Sequence, residues 1–356
     1  MAGPVVEVSV ADPVAAADNV RFLTIVLRFL EEQNMKYRIR LKDTAMRFIV
    51  KISFITLILA IFVQAEAASV QAKPKSYTSA DEAVQSLIAA IKTNDDKALL
   101  SIFGEEGKDI ISSGDPVADQ QGRKRFLTKY EEKSRLLAGK DSMNLLLGND
   151  EWPFPIPVVK RGSTWFFDTA KGKEEILNRR IGENELSTIE TCLAIVDAQR
   201  EYAMMDIDGD GVPEYAEKLM SDPGKKNGLY WESKEGEAPS PIGPVLAEAR
   251  KEGYSGKNAT GSGLPYHGYY YRALKAQGKN AEGGAYEYVI RGKMIGGFAL
   301  VAYPAIYGNS GVMTFIVNHD GIVYQKNLGK DTAKYADAMK QFDPDKTWKK
   351  VEAASK

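Results

Sequence analysis

Three aspartates at alternate positions are the residues of this chain best suited to chemistry. Asp206, Asp208 and Asp210 precede Gly211 in the stretch DIDGDGVPEYAE, which ends at Glu217. Carboxylates this close together favour a bound cation, and calcium prefers six to eight oxygen ligands. The spacing fits the loop pattern D-x-[DN]-x-[DN]-G-x5-E. We therefore expect Ca2+ as the cofactor of this loop.

The expected ligands include carboxylates and one backbone carbonyl, that of Val212. The full predicted set is Asp206, Asp208, Asp210, Val212, Glu214 and Glu217. Pro213 has no N–H to donate to a twin loop, which argues against a paired EF-hand. A solitary extracellular loop, closed by Glu214 or Glu217, fits better. The alternative is a surface loop rich in Asx turns that holds no ion.

A second group of polar residues gives a weaker indication of function than the acidic loop. A charge cluster surrounds Gly182 and comprises Arg179, Arg180, Glu183, Glu185 and Glu190. Such a cluster is typical of a solvated helix junction, since exposed ion pairs are common and weak. The alternative is a buried network between domains, or a ligand clamp.

The run from Tyr266 to Arg272 is rich in aromatic residues. In a strand its side chains alternate between two faces, which predicts sheet packing. The alternative is a surface that binds peptide or glycan. His267 could act as an acid or base, but no acidic partner lies near it in the sequence, and His319 is expected in an exposed turn.

Composition excludes several classes of protein. The chain has 356 residues and a net charge of −1, so no basic excess predicts nucleic-acid binding. The single cysteine, Cys192, allows no intrachain disulfide and is predicted to be a buried thiol. No HExxH, GxSxG, CxxC or P-loop motif occurs. These absences favour a non-enzymatic protein, although a catalytic role stays open.

The N-terminal region predicts export. Ile52 to Val63 is an apolar run preceded by a basic pair, and Ala65-Glu66-Ala67 has the small-x-small pattern of a signal-peptidase site. We expect residues 1–45 to be an unstructured or mis-assigned leader, 46–67 a signal peptide and 68–76 a linker. The mature protein would then be periplasmic or secreted, without a stable membrane span. The alternative is an uncleaved N-terminal anchor.

Periodicity predicts an α+β protein in two parts. Residues 77–170 give helices near 79–91, 96–103 and 123–138, then strands near 143–147, 156–161 and 163–168. Residues 171–356 give a long helix over 173–205 that is interrupted near Gly182, a core-facing stripe of Leu186, Ile189, Leu193 and Val196, the calcium-type loop at 206–217, a short helix at 214–220 and a small helix at 245–251. Strands are expected at 268–274, 286–290, 298–304, 312–318 and 322–325.

Each part resembles a known arrangement. The first resembles the cone-shaped fold of the nuclear transport factor 2 (NTF2-like) type, through its opening helix, the Thr93-Asn94-Asp95-Asp96 break and the hairpin ending in Trp165-Phe166-Phe167. One alternative function is therefore a small-ligand carrier or enzyme, with a pocket near Trp152, Trp165 and Phe167. The second part resembles a pilin-like head, which implies a pilus-associated subunit as a further alternative.

Several sequence blocks also resemble one family in order. They include RRIGENELSTIETCLAIVDAQREYA, DGDGVPEYAEKLMSDPGKKNGLYW, SPIGP, GYYYRALKAQG and FDPDKTW. Together they cover roughly residues 77–351, and the chain is identified as a member of the bacterial family known as domain of unknown function 2950. The resemblance implies an exported envelope protein and no particular activity. We expect a binding or scaffold role, with an envelope protein, a glycan or a peptide as partner.

Overall fold

The computed structural model describes residues 73–233, 236–254 and 264–352. The predicted leader and signal peptide, and most of the predicted linker, lie outside these residues. None of the helices within the described ranges is both long and apolar enough to cross a lipid bilayer.

Four helices open the described chain. They are α1 (Ala80–Lys92), α2 (Asp96–Phe103), α3 (Lys108–Ile111) and α4 (Pro116–Glu132). Side chains cap three of them: Ser79 accepts from the Glu82 N–H, and Asp95 and Asp115 do the same at α2 and α4. The prediction that the third helix runs to Ala138 is wrong. Residues 134–138 pair with the next strand instead, where their backbone groups gain partners outside the helix.

The first sheet follows and is antiparallel throughout. Its strands are β1 (Ser134–Ala138), β2 (Ser142–Leu147), β3 (Trp152–Pro153), β4 (Val158–Arg161) and β5 (Thr164–Phe167). The spatial order is β1-β2-β4-β5, with β3 paired to β2. The chain reaches this sheet at Tyr77, which pairs with Trp165 at the outer edge of β5.

A single long helix, α5 (Thr169–Ala203), links the two halves. The predicted break near Gly182 is wrong: the helix is continuous, because one glycine costs only about 1 kcal/mol and its neighbours make tertiary contacts. The predicted stripe is also partly wrong. Leu186 and Leu193 are 64% and 41% exposed, whereas Thr188, Cys192 and Gln199 are among the residues on the buried face.

Within the described ranges, the C-terminal part contains α6 (Gly243–Lys251), α7 (Thr332–Ala338) and ten short strands. These strands are β6 (Tyr269–Leu274), β7 (Ala276–Gln277), β8 (Tyr286–Glu287), β9 (Val289–Ile290), β10 (Lys293–Met294), β11 (Ala299–Pro304), β12 (Met313–Asn318), β13 (Tyr324–Asn327), β14 (Gln341–Phe342) and β15 (Lys349–Lys350). The main sheet has the order β15-β13-β12-β11-β6 and is antiparallel, while β14 and β7 form a parallel pair. The α+β prediction is confirmed.

The two largest hydrophobic cores among the described residues pack on opposite ends of α5. One is built from α1, α2 and the first sheet, and the other from the main C-terminal sheet and the second half of α5. Ile176, near the start of α5, packs on the first core, and Tyr202, near its end, is buried in the second. The domain boundary predicted at 170/171 falls just inside this helix.

Candidate functional site

The acidic loop begins where α5 ends. Asp206 has a positive φ of 44°, and its carboxylate accepts from the backbone N–H of Gly211 at 3.2 Å. Asp210 accepts from the Val212 N–H at 2.9 Å. Gly211 has a φ of 76°, a conformation that costs glycine little. These contacts wind the chain into a tight turn that points the carboxylates of Asp206, Asp208 and Asp210 toward one another.

The carboxylates of three aspartates lie close together in this loop. One oxygen from each lies within 4.8 Å of the others, and all three residues are exposed. Glu217 instead binds the ammonium of Lys275. Glu214 stays near the loop and half-buried, and burial raises the pKa of its carboxyl above the ordinary value. The structure thus brings together three of the predicted carboxylate ligands, while Glu217 has another partner.

Lys293 on β10 contacts the acidic loop, and no sequence pattern predicted this contact. Its ammonium binds the carboxylates of both Asp208 and Asp210. This contact lowers the pKa of Asp210 and raises that of Lys293. The lysine lies 83 residues from Asp210 along the chain, so no local pattern could have indicated the pairing.

Two further contacts fix the base of the loop. The buried side chain of Gln199 on α5 binds both the N–H and the C=O of Ala216, each at 2.8 Å. Tyr215 pairs with Met294 on β10. The helix predicted for 214–220 is therefore wrong, because this segment bonds to its neighbours as an extended chain. The loop is held between the end of α5 and the β9–β10 hairpin.

The charge cluster around Gly182 separates into exposed and half-buried members. Arg180 donates to the backbone oxygens of Asp109 at 2.6 Å and Ile110 at 2.8 Å, and to the Asn309 side chain. Glu185 accepts from the N–H groups of Val312 and Met313, both at 2.9 Å. These two half-buried residues contact loops of both halves, so the alternative of a network between domains is observed for them, without full burial.

The exposed members of that cluster make local contacts. Arg179 binds Glu175 one turn earlier, and its guanidinium lies 4.9 Å from the ring centre of Trp152. Glu183 lies 3.6 Å from Arg125. These contacts match the predicted solvated helix surface.

His267 has the acidic partner that its sequence neighbourhood lacks. Its Nε2 lies 3.3 Å from the Glu252 carboxylate, just beyond α6. The residue has a φ of 48°, in the tight turn that joins Tyr266 to Tyr269. Non-glycine residues with a positive φ are uncommon, and they cluster at functional sites.

Asp115 holds that turn from the N-terminal half. Its buried carboxylate accepts from the Gly268 N–H at 2.9 Å and from the Tyr254 hydroxyl at 2.8 Å. The ring of Tyr266 lies 4.2 Å from that of His267. The sequence did not indicate this cluster, because its members come from three separate segments. The second histidine, His319, packs against Tyr288 and Phe298 beside the turn after β12.

The three rings expected around an N-terminal pocket take part in packing. Phe167 is fully buried and contacts Phe103 and Phe154 with ring centres 5.5 and 6.4 Å apart. Trp152 is covered by Arg179, and Lys160 lies over Trp165. These residues line the core and its rim.

Comparison with known proteins gives one result. A family model described as protein of unknown function (DUF2950) matches residues 74–351. No curated protein and no solved structure matches the chain. The match covers both cores, the long helix, the acidic loop and the His267 cluster, and the chain therefore belongs to the DUF2950 family.

Proposed function

We propose that this protein is an exported cell-envelope protein with a binding or scaffold role, whose acidic loop is a structural calcium site. The observation that carries the calcium proposal is the convergence of Asp206, Asp208 and Asp210 within 4.8 Å. Gln199 and the Tyr215–Met294 pair support it, because they hold the loop in place before any ion binds.

The loop supplies only part of a calcium coordination shell. Three carboxylates, the carbonyl of Val212 and water provide hard oxygen ligands, and Glu214 is close enough in sequence to add one. Lys293 competes for the same oxygens, because it already neutralises Asp208 and Asp210. A divalent cation has to displace this ammonium, so the site favours an environment where calcium is abundant.

Calorimetric titration with calcium tests this proposal. We expect binding with a dissociation constant of about 10⁻⁴ M or weaker, the range typical of extracellular modules. At tenfold excess of calcium over that constant, linkage adds about 1.4 kcal/mol of stability, which raises Tm by about 3–5 °C. Asp208→Ala should abolish both effects.

Lys293→Met provides the decisive comparison. Removing the competing ammonium should tighten calcium binding, whereas Lys275→Met, which frees Glu217, should change the affinity less. If millimolar calcium produces no heat and Asp208→Ala leaves Tm unchanged with and without the ion, the calcium proposal is wrong.

Export is tested separately by determining the N-terminus of the protein recovered from the cell envelope. We expect the mature chain to begin at Ala68. An intact N-terminus in the cytoplasmic fraction would contradict the export proposal and leave the calcium proposal untouched.

A second candidate function is acid–base chemistry or small-ligand binding at His267. The favouring observation is the half-buried His267–Glu252 pair on a turn fixed by Asp115. A ligand should perturb the His267 ring signals in NMR, and Glu252→Gln should alter that response. A screen of small carboxylates, sugars and peptides that leaves the ring signals unchanged would eliminate this candidate.

A further inference from the structure

The end of the β4–β5 hairpin carries cations stacked on aromatic rings. The Lys160 ammonium lies 5.8 Å from the ring centre of Trp165, and the Arg161 guanidinium lies 4.8 Å from that of Phe166. Lys160 pairs directly with Trp165 across the hairpin. Because successive residues of a strand point to opposite faces, the two cation–ring pairs lie on opposite faces of the hairpin.

The tip of this hairpin is open to solvent. Residues 160–164 are all exposed. A side chain added at Gly162 would meet no atom within 4 Å. Within the described ranges, neither Lys160 nor Arg161 has a carboxylate within 4.0 Å. Their charges are therefore available to an anionic partner.

The short length of chain between the apolar run and the hairpin favours a membrane as the partner. Tyr77 pairs with Trp165, so the chain joins the fold at the edge of this hairpin. Residues 64–72 separate the apolar run at 52–63 from the first described residue. Nine residues span at most about 32 Å. Until cleavage at Ala67, a membrane that receives the apolar run is thus within reach of the start of the described chain, which meets the hairpin edge at Tyr77.

We propose that the tip of the β4–β5 hairpin binds the headgroup layer of an anionic phospholipid membrane. Lys160 and Arg161 contact lipid phosphates, while Trp165 and Phe166 lie at the depth where aromatic side chains are enriched. Long cationic side chains that cover apolar rings suit this interface, because their stems bury while their charges stay in water. The contact would keep the chain at the bilayer after cleavage at Ala67.

A second pair of cations in the same chain gives a matched control. Lys326 lies 5.7 Å from the ring centre of Trp348, and Lys350 lies 5.8 Å from that of Tyr324. These residues belong to the β13–β15 edge of the C-terminal sheet. They have the same chemistry as the hairpin tip but are remote from the N-terminal segment in sequence and belong to the other core.

The test is vesicle co-sedimentation of the chain from residue 68 onward, which retains both cores and every described contact. Vesicles contain phosphatidylglycerol and phosphatidylethanolamine, or phosphatidylcholine alone, and the buffer contains a chelator so that the result is independent of calcium. Each Lys or Arg near an anionic surface contributes about a fivefold gain in partitioning. We expect Lys160→Gln with Arg161→Gln to weaken binding to anionic vesicles about 25-fold. High salt should weaken the wild type similarly.

The control variant, Lys326→Gln with Lys350→Gln, removes the same charge and should leave binding unchanged. Equal Tm values for the two double variants establish that folding is intact. Insertion is followed with an environment-sensitive dye at Ser163→Cys, since native Cys192 is buried and does not compete for the label. We expect a blue shift on anionic vesicles, and none from the same dye at Lys349→Cys.

Four outcomes would overturn the proposal. These are equal losses in the two double variants, equal binding to neutral and anionic vesicles, no vesicle binding by the wild type, and binding only to a soluble polyanion such as heparin. The last outcome would assign the hairpin to a polysaccharide partner instead.

Discussion

Arg180 is predicted to be the most costly arginine to remove from α5. Its guanidinium joins the helix to the backbone oxygens of Asp109 and Ile110 and to Asn309, and so links the two cores. Burial lowers its pKa, although Asp119 and Asp109 partly offset this effect. Arg180→Ala would leave these three acceptors without their charged donor.

The magnitude follows from those hydrogen bonds. A hydrogen bond to a charged group contributes about 1.5–3 kcal/mol. Because the guanidinium is only half-buried and the three bonds share one donor group, we expect a total loss of about 3 kcal/mol. For a chain of this size, that loss lowers Tm by about 6–12 °C.

Arg179 provides the control, because it is the neighbouring residue on the same helix and carries the same charge. It is exposed and binds only Glu175 and the face of Trp152. Arg179→Ala should therefore change the free energy of unfolding by less than about 1 kcal/mol. Arg180→Lys should lie between the two, since one ammonium cannot reproduce the planar fork.

The assay is thermal and urea unfolding of the three variants, followed by circular dichroism. A biphasic transition in Arg180→Ala would indicate that the two cores unfold separately once the link is cut. If Arg179→Ala and Arg180→Ala shift Tm equally, the link between the cores does not depend on Arg180 and the reasoning is refuted.

Three further predictions concern single residues. Gly182→Ala should stabilise the protein by about 1 kcal/mol in urea unfolding, because an added Cβ meets nothing within 4 Å. Gly172→Ala should destabilise it, because that Cβ would lie 2.6 Å from the backbone nitrogen of Ile156. A more stable Gly172→Ala than Gly182→Ala variant would contradict this packing. Burial raises the pKa of the Cys192 thiol to about 12, so thiol reagents should label this thiol only at the rate at which the protein unfolds. Faster labelling of the native protein would show that the thiol is accessible and would contradict this prediction. Arg135 and then Lys133 lower the pKa of Glu151 to about 2. These contacts therefore stabilise the fold fully above the ordinary pKa of 4.5, and this stabilisation is lost as the pH falls through about 2. NMR titration of Glu151 should give a pKa of about 2, and Arg135→Gln should raise that pKa.

Local sequence signals placed most elements of the fold. The helices expected near 79–91 and 96–103 follow from short-range periodicity, and the structure contains α1 and α2 at these positions. The strands from 298 to 318 were predicted to within one residue because short, nearly continuous apolar runs are bounded by turns.

The errors arose where distant contacts decide the structure. Gly182 predicted a helix break, but Arg180 and Glu185 bind loops more than 60 residues away and hold the helix through it. Leu186 and Leu193 fit a helical period, yet both are exposed, and the buried face of the helix includes Thr188 and Cys192 instead. Periodicity gives the spacing of a stripe without saying which side meets a partner.

The candidate sites also combine local features, which the sequence predicted, with long-range contacts, which it did not. The three aspartates of the loop are local and were predicted. Lys293, Glu252 and Asp115 are not, because each is brought to its partner by the fold of a separate segment. A competing lysine or an acidic partner has no sequence pattern when the two members of the pair belong to different segments of the chain.

Helix α5 also has a consequence for how this protein can be divided. Its 35 residues span about 52 Å, and its first turns are packed on one core while its last turns are packed on the other. A cut on either side of the helix exposes apolar surface on the fragment that loses it. Expression of either half alone should therefore give aggregated material. Gene fusions that exchange one half should fail unless the helix in the fusion matches the packing surfaces of both halves. The family model spans both halves without interruption, as expected for a chain inherited as one folding unit.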